Sequence, residues 1–110
     1  MRTYNPAFAR VEDDALVTLA QDGDNAAFTE LVQRHSHTCR RLAVSILKNQ
    51  EDAEDEVQNA IWKAYQHLAG FNQDAKFSTW LSRIVVNQCL MRLRKDKRAR
   101  FIHLEAGVPG

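Results

Sequence analysis

No proline stands between Pro6 and Pro109. Proline breaks a helix by removing an amide N–H and clashing with the preceding turn. Its absence leaves the whole body of this 110-residue chain free to be helical. No segment shows the period-2 alternation of a half-buried strand. Apolar residues recur instead at three- and four-residue spacings, which put them on one face of a helix. The interruptions are Gly23, Gly70 and the polar stretch Lys48-Asn49-Gln50. The expected fold class is all-α: one small domain, a compact bundle of about four helices with short connections.

The first helix is expected to start at Asp13 or Asp14 and stop before Gly23, with Leu16, Leu19 and Ala20 inward. Asp24 caps the second, whose apolar residues are Phe28, Leu31, Val32, Cys39, Leu42, Ala43, Ile46 and Leu47. The third begins in the acid cluster 51–56 (EDAEDE) and runs to about Leu68. Ala53, Val57, Ala60, Ile61, Ala64, Tyr65 and Leu68 line its buried side. A loop from Ala69 to Phe77 follows. Ser78 or Thr79 then caps a fourth helix, with Leu81, Ile84, Val85 and Leu93 near one face. The folded domain is expected over 13–98, after a tail of 1–12 and before a linker beginning in 99–110.

Apolar residues make up 45% and charged residues 26%, the balance of a soluble globular protein. No apolar run approaches the length of a membrane span, and the N-terminus lacks a signal-peptide core. A cytoplasmic location without membrane insertion is expected. Cys39 and Cys89 do not make a disulfide framework and read as buried thiols. His35, His37 and Cys39 are spaced two apart, so on a helix they diverge rather than converge on one metal. No metal or cofactor is expected. No glycine-rich phosphate loop, HExxH or nucleophile elbow is present, so the chain does not read as an enzyme.

The net charge of +1 hides a polarised molecule. Residues 92–100 (RLRKDKRAR) hold six basic side chains and one acid, which leaves nine basic and thirteen acidic elsewhere. Acids at the start of the third helix suit its dipole. They also offer a negative docking strip, in which Asp55, Gln58, Asn59 and Lys63 face solvent opposite Val57, Ala60, Ile61 and Ala64. The basic run exceeds what a helix C-terminus needs and suits duplex phosphates. Between the two charged ends, Phe71, Phe77 and Trp80 lie among Asn72, Lys76, Ser78, Thr79, Arg83 and Asn87. These aromatics either plug the core or offer stacking faces to unpaired bases, worth roughly 1–3 kcal/mol per base. Asn side chains match base edges, and Ser78 and Thr79 suit a phosphate. Arg83 and Asn87, four apart, share a face.

Two blocks, EDAEDEVQNAIWKAYQHLAGF and FSTWLSRIVVNQCLMRLRK, resemble region 2 of the extracytoplasmic-function sigma factors of the sigma-70 family. ALVTLAQDGDNAAFTELVQRH resembles that group's first helices, so the likeness spans roughly Asp13 to Lys97. The resemblance implies a transcription initiation factor domain that binds core RNA polymerase and melts the promoter −10 element by capturing a flipped non-template-strand base. It implies that Asp55, Glu56, Gln58, Asn59 and Lys63 meet the clamp helices of the β′ subunit. The family often has an acid or its amide, commonly Glu, after the Gln of the VQ pair; here Asn59 stands there, which weakens the charge implied for that face. Phe71, Asn72 and their neighbours, with Asn87, would trap the base. Arg83, Arg92, Arg94 and Lys95 would hold phosphates. An anti-sigma factor is a further implied partner, and a second domain reading the −35 element is implied beyond the linker. Two alternatives are a sigma-like module that binds only an anti-sigma factor and a plain helical adaptor.

Overall fold

A computed structural model describes residues 6–107, with side chains to residue 104. The ends of the expected tail (1–5) and linker (108–110) lie outside the described residues. A 3₁₀ turn, Pro6–Phe8, precedes four helices: α1 (Asp13–Gln21), α2 (Asn25–Leu47), α3 (Gln50–His67) and α4 (Phe77–Gly107). A second 3₁₀ turn, Leu68–Gly70, closes α3. The described residues contain no strand.

Local chemistry explains the boundaries. Gly23 ends α1 at φ +103°, a conformation that strains any residue with a Cβ. The Asp24 side chain accepts from Ala27 N–H at 3.1 Å and starts α2. Lys48 leaves α2 in the left-handed region at φ 58°, and Asn49 starts α3 by accepting from Asp52 N–H at 2.9 Å. Ser78 and Thr79 do not cap α4. The helix begins one residue before Ser78, and Trp80 N–H donates to Lys76 O at 3.0 Å. At its far end α4 runs through 101–107, where a linker was expected.

Helix α2 is the centre, packed against α1, α3 and α4, and α3 also packs along α4. Leu16, Val17, Leu31, Cys39, Phe77, Leu81, Val85 and Cys89 are the largest fully buried side chains. Ala27, Ala43, Ala53, Ala60 and Ala64 are sealed between them, and such small residues let helices approach closely. Three residues expected inward, Leu19, Tyr65 and Leu93, are instead exposed, while Val17 is buried. Each exposed one sits at the edge of its stripe, where neighbours 100° apart compete for the core.

Both cysteines are free and buried, and burial pushes the Cys39 thiol up to about 11. The three spaced residues do diverge: His35 pairs with Asp13 at 2.7 Å, His37 is exposed and Cys39 is buried. No described helix is long and apolar enough to cross a membrane.

Candidate nucleic-acid interface and docking face

The loop between α3 and α4 is anchored from the other end of the chain. The Gln21 amide on α1 donates to Leu68 O (3.0 Å) and Phe71 O (2.7 Å), fifty residues away in the second case. Below it, Phe71 lies against Trp80 with ring centroids 4.6 Å apart at 23°. Phe77 meets Phe71 edge-on, and the His35 ring lies 5.9 Å from it. This cluster corrects two expectations. Phe77 is only 1% exposed and plugs the bundle, so it offers no face to a base. Phe71, 7% exposed, belongs mainly to the same plug. Trp80 remains half-buried at the edge. Asn72 is exposed, and its Oδ1 accepts from Asp74 N–H at 3.2 Å, which shapes the turn. Lys76 is exposed just before α4.

Two grooves flank α4. The groove toward α2, about 580 Å³, is lined by Thr38, Ser78, Thr79, Ser82, Arg83, Val86 and Asn87. Four of those seven side chains carry hydroxyls and one a guanidinium, the donors that phosphate oxygens take. The groove toward α3, about 460 Å³, is lined by Lys63, His67, Trp80, Ile84, Asn87, Gln88 and Met91. It combines an aromatic ring, the exposed Asn87 amide and an ammonium, a set that suits a base and its phosphate, while the Gln88 amide is turned to Glu56. Asn87 borders both grooves.

The expected phosphate set divides. Arg83, Arg94 and Lys95 are exposed, but Arg92 is committed inside the protein. Its guanidinium meets Glu56 Oε2 at 2.8 Å, Asp52 Oδ1 at 2.9 Å and Asp96 at 3.3 Å. The hydrogen bond to Glu56 leads in raising its pKa, helped by Asp52 and Asp96 against some desolvation. A cation held by three carboxylates has little capacity left for DNA.

The expected docking residues divide as well. Glu56 is 5% exposed and cannot face a partner. Its Oε1 accepts from Gln88 Nε2 (2.8 Å) and Asn59 Nδ2 (3.1 Å). Burial pushes this carboxyl up, but hydrogen bonds from Gln88, Asn59 and Arg92 outweigh burial and hold it below the usual range. Asp55 and Gln58 are exposed and line a groove toward α2 with Arg40, Glu54 and Ile61. Asn59 is exposed, whereas Lys63 turns to α4, its Nζ 3.9 Å from Met91 Sδ.

Sequence reasoning missed Gln21, Gln88 and Trp62. Trp62 is 61% exposed on α3. A projection signals it: Trp62 falls out of phase with Val57, Ala60 and Ala64 on the same helix. Nothing local signals the contacts of Gln21 and Gln88, whose partners come from other helices.

The family model described as Sigma-70 region 2 matches residues 31–99. The chain is 42% identical over 97 residues to the ECF RNA polymerase sigma factor SigM of Mycobacterium tuberculosis, covering 88% of this chain and 50% of that one. It is 37% identical over 89 residues to the ECF RNA polymerase sigma factor SigW of Bacillus subtilis, covering 80% and 48%. The chain thus spans about half the length of these curated relatives. Among solved structures it resembles an engineered region 2 of sigmaE in complex with GTAAAA. That match has a TM-score of 0.77 and 38% identity, and covers 83% of this chain and 95% of the other.

Proposed function

The chain belongs to the sigma-70 region 2 family, in its extracytoplasmic-function branch, and from this we propose that it recognises and opens the promoter −10 element for RNA polymerase. On this reading an unpaired non-template base enters the α3–α4 groove. Trp80 supplies the stacking face, Asn87 the base-edge contacts and Lys63 a phosphate contact. The strand crosses α4 at Asn87. Its backbone then follows Arg83 and the hydroxyls of Thr38, Ser78, Thr79 and Ser82, with Asn72 and Lys76 at the loop end. Arg94 and Lys95 hold phosphates further along α4. Unstacking a base costs a few kcal/mol, which stacking and hydrogen bonds in the groove offset. Binding the open strand better than the duplex shifts the equilibrium toward opening, without ATP.

The exposed strip Asp55, Gln58 and Asn59 docks on the clamp helices of the β′ subunit of core polymerase. Such work places the protein in the cytoplasm and makes it an initiation factor, not an enzyme. An anti-sigma factor would act by covering one of these two faces.

The observation that carries this reading is Asn87, which stands on the ridge between a base-like groove and a phosphate-like groove. The test is fluorescence anisotropy with labelled GTAAAA, the oligonucleotide in the sigmaE region 2 complex, and with scrambled versions. Sequence-dependent binding is expected. Asn87→Ala should cost about 1–3 kcal/mol and flatten the preference. Equal binding of all sequences, unmoved by Asn87→Ala, refutes the reading.

A further inference from the structure

Trp62 leaves 61% of its surface in solvent on the outward side of α3. It continues the line Asp55, Asn59, Trp62, Gln66, spaced four, three and four, which is one stripe of a helix. The ring is braced. Tyr65 stacks on it with centroids 6.1 Å apart at 19°. Tyr65 in turn meets Phe28 of α2 edge-on at 5.2 Å and donates its hydroxyl to Asn25 Oδ1 at 2.9 Å. An exposed tryptophan with a ring neighbour on one side leaves its other face for a partner, as an interface anchor requires.

The surroundings indicate the partner. Beside the stripe runs the α2–α3 groove, with Arg40 and Arg41 on the α2 rim and Glu54 and Asp55 on the α3 rim. Val32, Val57 and Ile61 line its apolar part. A surface with both signs of charge beside an aromatic knob complements a helical partner that carries both signs around an apolar seam, as coiled-coil helices do. We propose that Trp62 is the anchor of the core-polymerase docking face, seated against the clamp helices, with Asp55 and Gln58 as its polar rim. This rests on the docking reading of α3 above.

The test uses the 110-residue chain, labelled at its N-terminus, titrated with purified core polymerase. Trp62→Ala should weaken binding about 30-fold. Trp62→Phe should keep most of the affinity. Affinity for GTAAAA and the circular dichroism spectrum should not change, because the side chain is exposed and away from the α4 grooves. Asp55→Arg is the control for the docking reading. If Asp55→Arg weakens binding and Trp62→Ala does not, docking on α3 stands and the anchor is overturned. If neither weakens it, both fall. Loss of self-association in sedimentation with Trp62→Ala, at unchanged core affinity, assigns the patch to a second copy and also overturns the proposal.

Discussion

Glu56 shows how far a residue's surroundings can depart from its motif. In EDAEDE it is one of five acids in six positions, yet it alone of the described residues is a buried charged side chain. Arg92, Gln88 and Asn59 satisfy both its oxygens. Glu56→Gln removes the buried charge that Arg92 meets at 2.8 Å and leaves one amide N–H₂ among the donors Gln88, Asn59 and Arg92, so it should lower unfolding stability by about 1–3 kcal/mol. The pH dependence has a definite sign. The folded pKa lies below the unfolded value, so the unfolded chain binds the proton more readily. The stabilisation is complete above the ordinary glutamate pKa near ~4.3 and is lost as pH falls through the folded value. Urea denaturation at pH 7 and at successively lower pH should show this loss in the parent chain. A parent curve no steeper with pH than that of Glu56→Gln would contradict it.

At the scale of elements, α1 and α2 each end at a single residue with positive φ, Gly23 and Lys48. Gly23 and Gly70 look alike in sequence but are not equivalent in the fold. A Cβ would meet nothing within 4 Å at either, but only Gly23 has a positive φ. Gly23→Ala should therefore cost about 1–2 kcal/mol through backbone strain alone. Gly70→Ala should be close to neutral. Thermal melts of the two variants side by side check the contrast, and equal losses would rule out the strain argument. The start of α1, the cap at Asp24 and the start of α3 were legible because each depends on residues within one turn. The length of α4 was not: the stop signals Gly107 and Pro109 come only at the end of that segment, and 101–107 read as linker on composition.

For the whole molecule, the grooves put the nucleic-acid candidates along α4 and the docking candidates on α3, with the Arg92–Glu56 clasp joining the two helices. The clasp takes Arg92 out of the candidate phosphate set, which keeps Arg83 on the α2-side groove and the pair Arg94 and Lys95 further along α4. Alanine at both should lower the slope of log affinity against log salt for a single-stranded oligonucleotide by about 1.4, at about 0.7 for each phosphate no longer neutralised. Arg92→Ala should leave the slope nearly unchanged and lower stability instead. A slope that falls with Arg92→Ala would return it to the DNA face. The sequence by itself determined that the chain is helical, roughly where each helix begins, and that acidic, aromatic and basic segments follow in that order. These properties depend on backbone sterics, caps and periodicity, which act over a few residues. Only the tertiary structure decided which polar and aromatic side chains are available to a partner. Glu56 and Arg92 neutralise each other across 36 residues, and Phe77 is sealed in the core. Those outcomes depend on the rotational phase of each helix against its neighbours, which packing sets and local sequence does not.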